Sequence, residues 1–367
     1  MKIAILGTRG IPARYGGFET FAEEVSRRLA RRGHDVTVYC RRHYTDPSLT
    51  RLGDVRLVVL PTIRTKYLDT VVHAFLSAVD AARRGFDAVL FCNAITAAFC
   101  GIPKLSGARV LLNVDGLERN RRKWSAAGRA AYAISERLST SLPDVVVTDA
   151  EVIRRYYAET FGIDPLVIPY GGDLDPPSGA ESLRRWNLSP GAYFLYVSRL
   201  EPENNALAVV EAYRAAKGNL PLVVVGDAPY AADYIARVKA AADPRVLFTG
   251  AVYGEGYREL LFHARAYVQA TEVGGTHPAL VEAMGAGRIV AYHDSPENRE
   301  VCGGAGLPFD ARRPFTLTAI FDALVDDPGP AAVLSDKARA RVEERYRWEA
   351  VTDAYEKALA QPAKFGG

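Results

Sequence analysis

The sequence is poor in cysteine, in paired histidines and in long apolar runs, and each shortage excludes something. Its four cysteines, Cys40, Cys92, Cys100 and Cys302, form no Cys-x-x-Cys pair. Neither a disulfide framework nor a thiolate zinc site is indicated, and a reduced compartment is implied. The six histidines contain no His-x-x-x-His or comparable ligand pair, so no metal centre is expected of them. No stretch reaches the roughly 18 apolar residues of a membrane span; residues 89–103 come nearest and are interrupted by Asn93 and Thr96. The apolar run before Gly7 is too short for the core of a signal peptide. The expectation is a cytoplasmic protein, with peripheral contact at the inner face of a membrane as the one alternative. Neither the dinucleotide fingerprint G-x-G-x-x-G nor a Walker A lysine pattern occurs, which speaks against a nicotinamide oxidoreductase.

What is present is ordinary globular material: 49% hydrophobic and 24% charged residues in a chain of 367. At roughly 100–200 residues per domain that length implies two domains with cores of their own. The net charge of +3 hides an uneven distribution. Residues 1–170 hold 25 Lys and Arg against 17 Asp and Glu, and the remainder hold 21 against 26. The first half therefore suits an anionic partner. Nucleic acid is not expected, because the second half is acidic and no nucleic-acid module is visible.

Short apolar runs alternate with amphipathic stretches throughout. In the first half, strands are expected at 3–6, 36–39, 57–60, 88–91, 110–112, 145–147 and 166–168, with helices at about 67–84, 94–101, 124–140 and 150–160. A helix following the first strand carries Phe18, Phe21, Ala22, Val25 and Leu29 at helical spacing. Residues 169–179 are rich in proline and glycine and read as a linker. Beyond them, strands are expected at 193–197, 222–225, 246–248, 266–269 and 288–291, and 313–360 reads as mostly helical. Such alternation predicts α/β domains with doubly wound parallel sheets. The expected division is 1–170 and 171–345, with the last helix, about 346–360, returning to the first domain.

Three segments carry chemistry. Gly16-Gly17 stands where a strand-to-helix loop meets the helix start, so backbone N–H groups could approach a phosphate; a plain turn is the alternative. Gly274-Gly275-Thr276-His277-Pro278 follows a strand and opens a helix with Glu282 one turn in. There the backbone of Gly275 and Thr276 could hold oxygens while Glu282 accepts from hydroxyls; a glycine turn with a solvated or capping glutamate fits equally. Arg199, just past a buried strand, suits a phosphate by bidentate bonding, or pairs with Glu201 or Glu203. Asp173-Leu174-Asp175 matches a metal-binding triplet but lies in the linker stretch, so no metal is assigned to it. Arg119, Arg121, Arg122 and Lys123 form the densest basic cluster, immediately before Trp124. They suit an anionic membrane surface with Trp124 at the lipid boundary, a diphosphate-linked acceptor, or simple solvation.

Together the segments GTRGIPARYGGFETFAEEV, VDGLE with KW shortly after, RLEPENN, VGGTHPALVEAM and YRWE resemble the retaining glycosyltransferases of family four, in the bacterial rhamnosyltransferase-like subgroup. The resemblance covers nearly the whole chain. It implies the GT-B fold, two Rossmann-like domains facing across a cleft, with the acceptor bound by the first and a nucleotide sugar by the second. It also implies roles. Gly16, Gly17, Arg199, Asn204, Val252, Tyr253, Gly275, Thr276, His277 and Glu282 would bind the donor; Asp115 and Glu282 would serve the reacting sugar; His73, Glu19, Arg121 and Arg122 would lie on the acceptor side. His73 fits a packed helix position equally well. Two departures stand out. The broader family's Glu-x7-Glu would place a glutamate at position 274, where this chain has Gly274, and its frequent lysine is replaced by Asn204.

The activity so implied is transfer of a sugar, L-rhamnose from a thymidine diphosphate donor as the first choice, to a glycan or lipid-diphosphate-linked saccharide in cell-surface polysaccharide synthesis. It would proceed with retention, without a metal and without any other cofactor. A nucleotide-sugar 2-epimerase, a transferase using a UDP- or GDP-sugar, and a non-catalytic nucleotide-sugar-binding protein are the alternatives.

Overall fold

The computed structural model describes residues 1–361 except Tyr15, Lys66, Arg122, Lys123 and Pro328. The chain forms two compact units, Met1–Tyr170 with Trp348–Gly367, and Gly171–Arg347.

The first unit is built on strands β1 (Lys2–Leu6), β2 (Asp35–Arg41), β3 (Arg51–Leu52), β4 (Val55–Leu60), β5 (Ala88–Cys92), β6 (Arg109–Asn113), β7 (Val145–Thr148) and β8 (Leu166–Val167). Its helices are α1 (Gly17–Arg31), α2 (Leu68–Arg84), α3 (Gly101–Lys104), α4 (Ala126–Leu138) and α5 (Glu151–Phe161), with a 3-10 helix at Ala94–Phe99. The sheet order is β3-β4-β2-β1-β5-β6-β7-β8, parallel except for the β3–β4 pair. Successive residues of the central strands serve opposite cores. Ile3, Ile5, Val36, Val38 and Leu90 point to one side, while Ala4, Leu6, Val89, Phe91 and Leu112 point to the other. Helices on both faces are therefore why these strands read as unbroken apolar runs.

The second unit has β9 (Phe194–Val197), β10 (Leu222–Val225), β11 (Val246–Gly250), β12 (Ala266–Gln269), β13 (Ile289–His293) and β14 (Leu307–Phe309). Its helices are α6 (Glu181–Arg185), α7 (Ala206–Arg214), α8 (Ala232–Ala241), α9 (Gly254–His263), α10 (Pro278–Gly285), α11 (Pro296–Cys302), α12 (Phe315–Asp326) and α13 (Gly329–Arg345). The sheet, β11-β10-β9-β12-β13-β14, is parallel throughout. Two strands escaped the sequence reading for physical reasons. β3 is two residues long, and β14 carries Pro308 at the sheet edge, where proline is tolerated but weakens the strand signal.

The final helix, α14 (Trp348–Ala360), packs on the first unit beside α1. Trp348 and Tyr355 are wholly buried there, with Val351, Ala358 and Leu359 nearly so. Arg32 binds Glu349, Asp353 and Glu356 of α14 at 2.6, 2.7 and 2.6 Å. Burying a large apolar side chain contributes about 1.5–3 kcal/mol, against 0–1 kcal/mol for an ion pair near the surface. The apolar seam thus holds α14, and the arginine sets its register. The stretch read as a linker is anchored rather than loose: Tyr170 is buried in the first unit, and the Gly172 amide donates to the Tyr346 carbonyl at 2.8 Å.

Candidate functional site

In a doubly wound sheet, ligands gather at the carboxyl ends of the two strands where the winding direction reverses. In the second unit those strands are β9 and β12, because β10 and β11 extend one way and β13 and β14 the other. Arg199 follows β9, and residues 271–277 follow β12. The segments singled out in the sequence therefore leave the same edge of the sheet from adjacent strands.

Arg199 is held from several sides. Its guanidinium lies 3.6 Å from the carboxylate of Glu201, which is 1% exposed and accepts from the Tyr230 hydroxyl at 2.7 Å. Asn204 is buried; its amide donates to the Arg199 carbonyl at 2.7 Å, and its own carbonyl accepts from the Tyr196 hydroxyl at 2.6 Å. Asn204 thus braces the backbone that carries Arg199, a different job from offering a cation to a phosphate.

The loop after β12 has a fixed geometry. Asn298, wholly buried at the start of α11, uses its amide nitrogen to donate to the carbonyls of Thr271 and His293 at 3.1 and 2.9 Å. Its oxygen must therefore accept, and it meets His277 Nδ1 at 2.8 Å. His277 Nδ1 therefore donates, and its Nε2 lies 3.5 Å from the Val273 carbonyl oxygen, a group that only accepts. A Cβ at Gly274 would fall 2.4 Å from that Nε2. The ring fills the space a glutamate at 274 would need, so the departure from the broader family pattern is enforced by packing. Gly275 and Thr276 are buried beside it. Glu282, one turn into α10 and 5% exposed, accepts from the Tyr257 hydroxyl at 2.6 Å. Val252 and the exposed Tyr253 follow β11 and precede α9.

In the first unit the winding reverses between β1 and β5. Gly7, at the end of β1, has φ +96°, and a Cβ there would fall 2.3 Å from the Cys92 carbonyl oxygen of β5, so only glycine lets the loop leave this tightly. Gly16 caps α1 with an extended backbone. Glu19, in the first turn of α1 and 3% exposed, accepts from the Arg9 amide at 2.8 Å, and Glu23 from the Ala13 amide at 2.7 Å. Glu19 is therefore committed to holding the loop and does not reach outward to an acceptor.

Asp115 lies two residues past β6 in the left-handed region, φ +59°, an uncommon place for a non-glycine residue. Its amide donates to Asn113 Oδ1 at 2.9 Å, and Asn113 in turn donates to the Tyr355 hydroxyl of α14 at 2.8 Å. Its carboxylate accepts from the Tyr170 hydroxyl at 3.1 Å. Burial, and then the neighbouring Glu118 carboxylate, push the Asp115 carboxyl up to about 6. The supporting residues Asn113, Tyr170 and Tyr355, like Tyr257 and Asn298 of the second unit, gave no sequence signal, since buried tyrosines and asparagines stand in any core.

Other acceptor-side expectations are corrected. His73 is wholly buried on the inner face of α2, and burial, with the nearby Arg41 cation, lowers it to about 4, so it is a neutral packed residue. Arg121 is 8% exposed and bound to Glu118 at 2.6 Å, so it is turned inward. Arg122 lies outside the described residues. Arg119 is 3.4 Å from Glu136, and Trp124 packs between Tyr67 and Tyr132 at ring separations of 6.0 and 5.1 Å. The tryptophan thus belongs to an aromatic cluster, and its ring does not mark a lipid boundary. Among the described residues, no group of three His, Cys, Asp or Glu is placed to hold a metal ion.

The family profile described as a glycosyl transferase 4-like domain matches residues 16–171, and that described as glycosyl transferases group 1 matches residues 191–327. The chain belongs to the family-four, GT-B glycosyltransferases. It is 25% identical over 208 residues to O-antigen chain mannosyltransferase B of Escherichia coli, an alignment covering 53% of this chain and 55% of the relative. The chain thus spans about half the length of that curated relative. Its fold is shared with sucrose-phosphate synthase of Thermosynechococcus elongatus, at TM-score 0.79 and 18% identity over 98% of this chain and 99% of the other. HepE of Anabaena, solved with UDP-glucose, has the same fold at TM-score 0.79 and 15% identity, with 98% and 99% coverage. In this family-four chain, the switch points of both sheets carry the residues described above, and α14 buttresses the loop of Asp115.

Proposed function

We propose that the protein transfers a sugar from a nucleoside diphosphate to a glycan or a lipid-diphosphate-linked saccharide. One observation carries this reading: Arg199 and the Gly275-Thr276 loop leave the carboxyl ends of β9 and β12, the switch point of the second sheet, with Glu282 one turn beyond. In this reading Arg199, whose backbone Asn204 fixes, takes up the charge of the departing diphosphate together with the backbone N–H groups before α10. Glu282, oriented by Tyr257, accepts from donor hydroxyls. His277 borders the transferred sugar, its ring lying in the space that the broader family gives to a glutamate. In the first unit, Asp115 faces the reacting sugar. Transfer proceeds with retention by attack from the face of the leaving group, the departing phosphate taking the acceptor's proton. No protein nucleophile and no metal enter this scheme.

L-rhamnose from a thymidine diphosphate remains the first choice of donor, on the subgroup resemblance. A second reading, a UDP- or GDP-linked hexose, is favoured by the mannosyltransferase relative and by the UDP-glucose bound to HepE. A thermal-shift panel of thymidine, uridine, guanosine and adenosine diphosphates and their sugars separates the two. A ligand at a hundred times its dissociation constant stabilises by about 2.7 kcal/mol. Arg199→Ala and Glu282→Ala are each expected to slow transfer about ten- to a hundredfold, the loss of a hydrogen bond to a charged group of roughly 1.5–3 kcal/mol. Wild-type rates in both variants would reject the site. Conversion of the donor without any acceptor would identify an epimerase, and nucleotide binding with no turnover a binding protein.

A further inference from the structure

The helical layer formed in the first unit by α2, the 3-10 helix, α3 and α4 has an outer surface unlike that of a helix layer facing water. The inner face of α2 presents Ala74, Ala78 and Ala81 to the sheet. Its outer face, expected to be polar in a solvated helix, carries Leu68, Val72, Phe75, Leu76 and Val79. Leu68 and Phe75 are 43% and 45% exposed. Of the acids of α2, Asp69 holds the buried Arg41, and Asp80 accepts from the Tyr39 hydroxyl and pairs with Arg84. The apolar surface continues onto the neighbouring helices. Phe75 meets Phe99 of the 3-10 helix at 5.7 Å, and the Tyr67 hydroxyl reaches Ser125, which caps α4. Leu105, at the end of α3, is 88% exposed, and Ile134 of α4 is 63% exposed.

Charge on this layer has one sign. Across residues 61–84, 98–107 and 125–141, every exposed charged side chain among the described residues is basic: Arg64, Arg83, Arg84, Lys104, Arg129 and Arg137. The acids of the same segments, Asp69, Asp80 and Glu136, are buried or half-buried, and two of the six cations are matched by a carboxylate, Arg84 by Asp80 and Lys104 by Asp144. We propose that this layer is a docking surface for an anionic lipid bilayer, with Leu105, Phe75 and Ile134 entering the interface and Arg64, Arg83, Arg129 and Arg137 meeting headgroup phosphates. A second copy of the chain is the poorer occupant, because a two-fold contact would set the same basic residues against each other. The inference goes beyond sugar transfer and stands without it. It also moves membrane contact away from Arg119 and Arg121, which pair with Glu136 and Glu118, and from Trp124, which packs between Tyr67 and Tyr132.

The test is co-sedimentation of the full chain with vesicles of phosphatidylcholine alone and of phosphatidylcholine mixed with phosphatidylglycerol. Binding to the anionic vesicles, reversed by salt, and little binding to the neutral ones is the expected result. Arg83→Ser and Arg137→Ser should each weaken binding about fivefold, and Phe75→Ser with Leu105→Ser should weaken it further. These positions are exposed, so circular dichroism and nucleotide-induced thermal shifts should match wild type. Equal binding to both vesicle types, no binding to either, or wild-type binding by the apolar double variant would each overturn the proposal. So would a dimer in sedimentation velocity that the same substitutions dissociate, since the surface would then belong to a second copy.

Discussion

Asp115→Asn should make the protein more stable while removing its activity, and the pH dependence of that gain tests the reasoning. The wild-type carboxyl titrates near 3.8 when unfolded and at about 6 when folded, raised first by burial and then by Glu118. Below the unfolded value both states are protonated and the favourable, neutral form is fully present. As pH rises between the two values, the unfolded chain releases its proton first, so stability falls. Above about 6 the loss is complete and constant. A shift of about two units corresponds to about 3 kcal/mol, a ceiling on what a neutral side chain can recover. Asparagine suits the position: it tolerates the left-handed backbone at φ +59°, and its oxygen can still accept from Tyr170. The assay is the urea midpoint of variant and wild type at matched pH. Taking the difference cancels groups common to both, notably His73, whose lowered value titrates in the same window with opposite sign. A gain at about pH 7.5 that vanishes near pH 4 is expected, together with transfer reduced at least about tenfold. A variant less stable than wild type at neutral pH, or a gain indifferent to pH, would show that the carboxylate is not desolvated as argued.

Restoring the broader family's glutamate by Gly274→Glu is expected to lower both transfer and stability, the latter by about 1–3 kcal/mol as in other overpacked sites. The new Cβ would lie 2.4 Å from His277 Nε2 and force the ring off Asn298; a gain in activity would show that the ring moves freely. Arg32→Ala should cost about 1 kcal/mol at low salt and less at high salt, read as a lower melting temperature. Its partners are held below the usual carboxylate range, Glu349 by its bond to Arg32 and Glu356 by its bonds to His34 and then to Arg32, so their contribution is present above the unfolded carboxylate value and is lost as pH falls through the folded one. An Arg32→Ala deficit that persists in acid would contradict this assignment.

How far the molecule was legible in its sequence follows from which interactions are periodic. β1 alternates Ile3 and Ile5 against Ala4 and Leu6 between two cores, and that repetition of burial is visible in a string of letters. So is the pattern of a glycine pair before a helix, which marked Gly274-Gly275 and the start of α10 at Pro278. Side-chain direction is not periodic, and there the letters misled. His73, Glu19 and Arg121 are residue types suited to a sugar or a phosphate, yet each is turned inward by a partner or by its helix face: the alanines of α2, the Arg9 amide and Glu118. The residues that set the site's chemistry are bound through long sequence separations. Tyr170 reaches Asp115 across 55 positions, and Tyr355 reaches Asn113 across 242. No local pattern encodes such a contact, because only the return of α14 to the first unit brings Tyr355 beneath β6. The most specific inference therefore comes where both kinds of information meet. α2 has an apolar repeat legible from residue to residue, but only the fold shows that one of its two apolar faces is left uncovered, beside arginines with no exposed acid among them.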